Sequence, residues 1–421
     1  MDRTETVLAV PRERLAPLVY GLLFLFPVLG ALVRHWLTGL FLLLGLISLY
    51  TVVARRNEIL SVPLRREEKI VLAGMALFVL GALLPALAHP FHGSILEVEL
   101  KYLLFIPVYL TIRQFPEAPV WLVRGFLLAG LASGGAALYQ SLVLGVVRAT
   151  GPYDPNYFAA FCVVALGMVL AGREFLADRW RPAAWLSVAG SVVAVLLSGS
   201  RAGYVMVLVV LLVWGGLSLK RRTLLAFVGL LLASGLAAYL LSDTVRSRVD
   251  YGINEVTAAV TGDQARAGGH SLSLRIALWK LNISLIRDHF PLGVGRKNIG
   301  SYVERYLSPE QRADEDLLSI LGHPHNAYVW VLSAKGLVGA LGWLLILFYP
   351  LWLFSRRLKT GSPAALMGVL FTVAFVVYSL VHIPFARNGE SSLFVLTLAV
   401  MMSAVQRRVS PSIEVQQPRT L

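Results

Sequence analysis

Residues 16–54 read APLVYGLLFLFPVLGALVRHWLTGLFLLLGLISLYTVVA, two apolar runs interrupted only by Arg34 and His35. A helix of about 20 predominantly apolar residues crosses the hydrocarbon core of a bilayer. Each run is close to that length, so the stretch predicts two membrane-spanning helices joined by a short polar turn. The same pattern recurs along the chain and decides the fold class.

The composition of the whole chain agrees with this pattern. Of the 421 residues, 57% are hydrophobic and only 15% are charged, whereas about a quarter of the residues in soluble domains are charged. An ordinary soluble enzyme and a disordered protein are therefore excluded. The sequence predicts an all-α integral membrane protein with about twelve transmembrane helices, at residues 16–33, 36–54, 70–88, 97–112, 118–141, 156–171, 182–198, 202–219, 223–241, 327–354, 363–381 and 391–405.

Two of the twelve segments depart from the simple pattern. Residues 97–112 form the weakest predicted span, because three charged side chains lie near its start. Residues 327–354 are too many for a single crossing. We expect Lys335-Gly336 to divide a short leading helix from the membrane part of this segment.

Basic residues are concentrated in the short loops on one side of the predicted spans. Lys and Arg number 38 against 24 acidic residues, a net charge of +14. In a soluble protein this excess would suggest a nucleic-acid partner, but short cytoplasmic loops of membrane proteins are also rich in Lys and Arg. An orientation with the N-terminus inside places more than half of the basic residues in cytoplasmic loops. We therefore predict a multi-pass protein with both termini in the cytoplasm, no cleaved signal and no nucleic-acid partner.

This orientation leaves one long segment outside, between the ninth and tenth spans. The predicted organisation is nine helices in residues 1–241, an outer loop domain in 242–325, three helices in 326–409 and a disordered cytoplasmic tail in 410–421.

The outer domain contains a predicted helix and an unexplained positive charge. Leu274, Leu278, Leu281 and Leu285 recur at helical spacing and predict an amphipathic helix over residues 271–289, after a glycine-rich patch at 261–269 that we expect to be flexible. Ten basic residues lie in this domain. Because long translocated segments escape the charge rule, an anionic ligand on the outer face would explain them.

Three motifs on the outer side could carry chemistry. The first is SGSRAG, residues 198–203, at a tight junction between two spans. Its Arg201, preceded by Ser200 and flanked by small residues, could bind phosphate oxygens with both arms of its guanidinium group. The alternative is an interfacial arginine whose side chain extends to lipid headgroups.

The second motif joins Arg275 and Trp279 on the predicted outer helix. Positive charge is unfavourable near a helix N-terminus, and a bound anion would explain the position of Arg275. The alternative is a solvated helix face with one buried aromatic residue.

The third motif is HPHNAY, residues 323–328, where the chain re-enters the membrane. Histidine suits general-base catalysis near neutral pH, and a helix can begin at Asn326. The alternatives are structural histidines, or a metal site completed by the acidic run 314–316, although the spacing shows no evident third ligand. Cys162 is the sole cysteine, which excludes disulfides within the chain and a cysteine-based metal site.

Other polar residues complete the predicted outer rim. Asn156 ends a turn-rich connection, residues 151–156, for which a plain turn is the simpler interpretation. Arg387 lies with Asn388 and Glu390 in the last outer loop.

Taken in order, these motifs resemble those of the O-antigen ligase family. The resemblance lies in Ser200-Arg201, the Arg-x-x-x-Trp of residues 275–279, the sequence PLGVG of residues 291–295, and the HPHNAY motif. The motifs occupy about residues 150–330, and the twelve-span layout with one large outer loop is similar over the whole chain.

The resemblance implies a GT-C-like membrane fold and an inverting glycosyltransferase that needs neither a metal nor another cofactor. Such an enzyme would transfer a completed O-antigen from undecaprenyl pyrophosphate to a sugar hydroxyl of lipid A–core. The reaction would take place at the periplasmic face of the inner membrane of a Gram-negative bacterium. Membrane lipids would surround the protein.

The same resemblance implies roles for particular residues. Arg201 and Arg275 match the arginines that bind the pyrophosphate, and His325 matches the catalytic base. We expect His323 to orient this base or to bind the acceptor. Further candidates for substrate binding are Ser200, Asn156, Asn326 and Arg387.

Other functions remain open from the sequence. An O-antigen polymerase or a protein O-oligosaccharyltransferase of the same superfamily would share the donor and differ in the acceptor. A transporter or flippase of lipid-linked glycan is the alternative that is not an enzyme. Transporters usually place ionisable residues at the membrane midplane, whereas the polar motifs here lie at the outer ends of the predicted spans.

Overall fold

The computed structural model describes residues 11–261 and 271–406, and every regular element in these two ranges is helical. Most of the glycine-rich patch predicted at 261–269 and the whole predicted tail lie outside the described residues. The α-helices of the described ranges are α1 (Arg12–Leu32), α2 (Trp36–Ala54), α3 (Arg56–Ser61), α4 (Arg66–Leu83), α5 (Leu96–Ile112), α6 (Ala118–Leu138), α7 (Pro155–Gly172), α8 (Arg181–Leu197), α9 (Arg201–Ser218), α10 (Arg221–Leu241), α11 (Asp243–Thr261), α12 (Ser271–His289), α13 (Ile299–Val303), α14 (Pro309–Arg312), α15 (Glu315–Ile320), α16 (Ala327–Arg357), α17 (Pro363–Ser379) and α18 (Asn388–Gln406).

Each of the twelve apolar segments forms a helix, which confirms the all-α integral membrane class. Within the described residues, ten helices are long and apolar enough to cross a membrane. The other two predicted spans, α5 and α17, are helices of 17 residues each. The count of twelve spans therefore stays a prediction.

The segment between α10 and α16 is helical as well. The helix predicted over residues 271–289 is present with those bounds, and its leucines Leu278, Leu281 and Leu285 are buried. Helix α11 was not predicted, because its sequence is polar and lacks a long apolar run. The boundaries of the outer domain stay a prediction, since they depend on where the membrane lies.

Glycines allow the central helices to pack backbone against backbone. A Cβ atom added to Gly81 of α4 would lie 2.3 Å from the Cα of Gly339 in α16, and one added to Gly342 would lie 2.3 Å from the backbone N of Phe78. Small residues are the usual means of close helix packing in membranes. The pair α4 and α16 therefore forms a rigid support.

The long helix α16 is divided where the sequence indicated. Gly336 has φ 60° and ψ −159°, values that no helix accommodates. The division expected at Lys335-Gly336 is therefore confirmed. The short segment before the break begins directly after the HPHNAY turn, so the break sets the position of this turn relative to the bundle.

The packing of α4 against α16 generates a prediction for a matched pair of glycine substitutions. We expect Gly342→Ala to lower the free energy of unfolding by about 1–3 kcal/mol, because the added methyl group meets backbone atoms that cannot move aside. Gly216→Ala in α9 is the control, since a Cβ there meets nothing within 4 Å. Thermal unfolding midpoints in one detergent provide the measurement. An equal midpoint for both variants would contradict the close contact of α4 and α16.

Candidate active site

Residues 323–326 of the HPHNAY motif form the turn immediately before α16, and its last two residues begin the helix. The side-chain oxygen of Asn326 accepts hydrogen bonds from the backbone N of Tyr328 and Val329, at 2.9 and 3.2 Å. Asn326 is thus the N-cap of α16. His325 has a φ of 51°, a left-handed conformation that is costly for a residue with a side chain. Such strain is often found at functional sites.

Trp279 connects this turn to helix α12. Its indole Nε1 donates a hydrogen bond to the carbonyl oxygen of Pro324, at 2.9 Å. Trp279 is one helical turn after Arg275. The structure therefore brings together two motifs that are nearly 50 residues apart in the chain.

Three histidines gather at the turn, and the sequence indicated only two of them. The ring centroids of His323 and His325 are 4.4 Å apart. His382, in the loop after α17, lies 5.5 and 6.0 Å from these two rings. The imidazole of His382 stacks on Tyr378, with centroids 5.0 Å apart. This stacking holds the third imidazole beside the first two.

The surroundings keep these imidazoles neutral at neutral pH. Burial and the positive charges of Arg275 and Arg387 lower the pKa of His325 to about 4. Burial, His325 and Arg387 lower the pKa of His323 to about 3. Burial and Arg387 hold the pKa of His382 well below its usual value. A neutral imidazole has a ring nitrogen that is free to accept a proton.

The SGSRAG motif forms the start of α9. Ser200 is the N-cap of this helix, and its hydroxyl oxygen accepts a hydrogen bond from the backbone N of Gly203 at 3.2 Å. The same hydroxyl donates to the side-chain oxygen of Asn156, at 2.8 Å. Asn156 lies in the first turn of α7. Ser200 and Asn156 thus join the N-terminal ends of α7 and α9, beside Arg201.

Arg201 is oriented by residues of α11. Its Nη1 lies 2.5 Å from the carboxylate of Glu255, which is buried, and its guanidinium carbon lies 4.9 Å from the ring centroid of Tyr251. The other carboxylate oxygen of Glu255 accepts a hydrogen bond from the backbone N of Leu272, at 3.1 Å. Glu255 therefore ties Arg201 to the first turn of α12.

Arg275 lies close enough to Arg201 for the two charges to repel each other. Burial and the charge of Arg201 lower the pKa of Arg275, an effect that Glu255 partly opposes. Within the described residues, the side chain of Arg275 forms no ion pair or hydrogen bond. Its positive charge is therefore available for an anion.

These arginines line a cavity of about 410 Å³ formed by residues of α9, α11, α12 and α17 and of the adjoining loops. Its lining contains four arginines and no carboxylate, and the apolar part of its wall includes Val205, Val377 and Val381. Asn156 and His382 also line it. The four arginines are Arg148, Arg201, Arg248 and Arg275.

The other predicted site residues lie beside this cavity. His323 and His325 adjoin it through His382, which belongs both to the cavity and to the histidine cluster. Arg387 forms an ion pair with Asp154, with Nη1 2.9 Å from Oδ2. Asp154 is in turn the N-cap of α7.

The described residues contain no group of three His, Cys, Asp or Glu side chains arranged to hold a metal ion. The acidic run 314–316, which the sequence analysis considered as a source of a metal ligand, has a structural role at the start of α15. The side-chain oxygen of Asp314 accepts a hydrogen bond from the backbone N of Leu317, at 3.0 Å, and caps α15.

Sequence reasoning missed several residues of this site. Arg248 was one of ten outer basic residues, and nothing in the sequence separated it from the other nine. Arg148 and His382 are isolated in predicted loops. Glu255 and Tyr251 lie one helical turn apart on α11, a helix that was itself not predicted.

The fold and the site define a multi-pass helical membrane protein with a cationic cavity and a histidine cluster at one end of its bundle. Residues 182–344 match the family model described as O-antigen ligase. This match supports the resemblance to the O-antigen ligase family that the motifs indicated. Members of this family are glycosyltransferase-like membrane enzymes.

The matched segment contains Arg201, Arg275 and the HPHNAY motif. The chain is also similar to an uncharacterized protein of Haemophilus influenzae, with 21% identity over 297 residues. The similar region covers 66% of this chain and 71% of the relative.

Proposed function

We propose that the protein is an O-antigen ligase that transfers O-antigen polysaccharide from undecaprenyl pyrophosphate to a sugar hydroxyl of lipid A–core. The observation that carries this proposal is the link between Arg275 and the histidine turn: Arg275 lines the cationic cavity, and Trp279, one helical turn later, bonds to Pro324 beside His325. The charge of Arg275 also lowers the pKa of His325. An anion-binding group and a neutral base thus belong to one site. The family match supports this class of reaction.

The cavity suits a donor that is charged at one end and apolar at the other. A pyrophosphate would bind the guanidinium groups of Arg201 and Arg275, which form charge-assisted and bidentate hydrogen bonds with phosphate oxygens. The polyprenyl chain would pass along the apolar wall. Val205 belongs to this wall and is 54% exposed on α9, so the cavity opens toward the side of the helix that lipid would cover.

In the proposed reaction, His325 takes the proton of the acceptor hydroxyl as the hydroxyl oxygen bonds to the anomeric carbon of the donor. The bond from this carbon to the pyrophosphate oxygen breaks, and undecaprenyl pyrophosphate leaves with the bonding electrons. Arg201 and Arg275 stabilise the charge that develops on the leaving group. Attack opposite the leaving group inverts the anomeric centre. Each of these steps uses side chains of this protein alone.

We place this reaction at the periplasmic face of the inner membrane, with both chain termini in the cytoplasm. The support is the distribution of Lys and Arg in the short loops. The site lies at the bundle end opposite the loop between α7 and α8, which contains Arg173 and Arg179.

Removal of the proposed base tests the function directly. We expect His325→Ala to lower the rate of transfer by about 10²- to 10⁴-fold, the usual contribution of a general base. The assay supplies undecaprenyl-pyrophosphate-linked glycan and lipid A–core to the purified protein in nanodiscs and separates the products on a gel. His92→Ala is the control, since His92 is exposed and contacts Asn298 outside the cavity.

Different results of this assay point to different errors. Full activity of His325→Ala would show that another group is the base. Loss of activity on treatment with a chelator would show that a metal takes part. Transfer by the unaltered protein to a lipid-linked repeat or to a protein, with none to lipid A–core, would replace the ligase by a polymerase or a protein-glycosylating enzyme.

The pH dependence of kcat/KM is a second prediction, since it reports the pKa of the base in the free enzyme. His325 acts only when neutral, and its pKa is lowered to about 4. We therefore expect kcat/KM to stay constant as the pH falls from 7 to about 5, and to decline only as the pH approaches 4. An unperturbed histidine would give a decline near pH 6.5. Recovery of activity on return to pH 7 separates titration from denaturation.

The orientation is tested with single cysteines. Cys162 is buried in α7, so Cys162→Ser provides a background without thiols. Ser247 is exposed on α11, and Thr360 is exposed after α16. We expect a membrane-impermeant maleimide to label the Ser247→Cys variant from the periplasm. The Thr360→Cys variant should be labelled only after the inner membrane is permeabilised. The reverse pattern would place the site in the cytoplasm.

A further inference from the structure

Two further arginines of the cavity approach one backbone turn from both sides. The Nε of Arg148 donates to the carbonyl oxygen of Ser198 at 3.1 Å, and the Nε of Arg248 donates to that of Gly199 at 3.0 Å. Gly199 has a φ of 60°, and a Cβ atom there would lie 3.3 Å from the Nε of Arg148 and 3.6 Å from that of Arg248. Glycine at this position thus leaves room for both side chains.

The charges of these two arginines have no acidic partner in the part of the chain that the structure describes. Neither forms an ion pair with another of the residues that the structure describes. Two carboxylates of this region are paired with other arginines, Glu255 with Arg201 and Asp154 with Arg387. Burial and the charges of Arg248 and Arg201 lower the pKa of Arg148. Like charges brought together in this way are stabilised by an anion bound between them.

The hydrogen bonds to the turn use only the Nε atoms. The terminal guanidinium nitrogens of Arg148 and Arg248 make no hydrogen bond to the described residues, and both side chains line the cavity. Each terminal group retains donors in the planar arrangement that matches phosphate oxygens.

The four cavity arginines fall into two pairs with different neighbours. Arg201 binds Glu255, whose other carboxylate oxygen accepts a hydrogen bond from Leu272 in the first turn of α12, the helix of Arg275. Through Trp279, α12 also contacts Pro324, the residue before the proposed base. Arg148 and Arg248 instead donate to the Ser198-Gly199 turn.

We propose that Arg148 and Arg248 bind a second phosphoryl group, the one that carries the polyprenyl chain, while Arg201 and Arg275 bind the phosphoryl group attached to the sugar. This inference rests on the proposed function and assigns the two phosphates of the donor to separate arginine pairs. The pair at the Ser198-Gly199 turn makes the site selective for a diphosphate over a monophosphate. It also retains the leaving group while the glycosidic bond breaks at the other pair.

Competition between two polyprenyl lipids tests this assignment. Undecaprenyl diphosphate and undecaprenyl monophosphate are titrated against the full-length protein in nanodiscs, and binding is read by native mass spectrometry. We expect the unaltered protein to prefer the diphosphate by about tenfold or more, the effect of one additional set of charge-assisted hydrogen bonds. We expect Arg148→Gln and Arg248→Gln to lose this preference and to bind the monophosphate as the unaltered protein does.

Two sets of variants control for damage to the fold. Arg246→Gln alters an exposed arginine on the same helix as Arg248, whose guanidinium group bonds to the carbonyl oxygens of Tyr239 and Leu240 outside the cavity. Its preference should equal that of the unaltered protein. Arg148→Lys and Arg248→Lys retain the charge, and we expect them to keep an intermediate preference even if the glutamine variants are poorly folded.

Each remaining outcome has a separate meaning. An unchanged preference in the glutamine and lysine variants would overturn the assignment. A higher KM for lipid A–core with unchanged binding of both polyprenyl lipids would overturn it in favour of a phosphate on the acceptor. If the unaltered protein bound neither polyprenyl lipid, the proposed function itself would be wrong, and the assignment would fail with it.

Discussion

The position of the re-entry turn depends on how the break in α16 at Gly336 is held. A break in a buried helix leaves backbone groups without helical partners, which is costly away from water. The turn at residues 291–295 supplies these partners: two of its backbone N–H groups donate to the carbonyl oxygens of Ser333 and Ala334, at 2.9 and 3.0 Å, and the carbonyl of Pro291 accepts from the residue after the break at 2.8 Å. The PLGVG motif therefore serves as a dock for the segment that follows the histidine turn.

A buried ion pair between α16 and α5 also stabilises the break in α16. The Nζ of Lys335, the last residue before the break, lies 2.8 and 2.7 Å from the carboxylate oxygens of Glu99 and 3.2 Å from the carbonyl oxygen of Phe78. Lys101 donates to the side chain of Asn388 at 2.6 Å. The charges that made residues 97–112 the weakest predicted span thus cross-link α5 to α16 and α18. An unpaired buried charge in this position would cost several kcal/mol. Lys335 and Glu99 therefore stabilise the fold only when both are present.

Features encoded in one continuous stretch were predictable, and features formed by distant stretches were not. The leucine spacing predicted α12, and Lys335-Gly336 predicted the break in α16, because periodicity and glycine act locally. The convergence of Arg148 and Arg248 on one turn depends on the folded arrangement of three segments. The same is true of His382, which reaches the HPHNAY histidines only because α17 ends beside the start of α16. Polar α11 lacks the apolar period that would have revealed it.

The positive charge of the cavity helps to keep the neighbouring histidines neutral. In the free protein, Arg275 and Arg387 disfavour a proton on His325. In the proposed reaction, a bound pyrophosphate brings negative charge to Arg275 and weakens this effect, so that His325 becomes a stronger base when the donor is present. The increase in proton affinity then coincides with the step in which the acceptor hydroxyl must lose its proton. In the proposed reaction, this electrostatic coupling sets the order of the steps: the donor binds first, and His325 activates the acceptor afterwards.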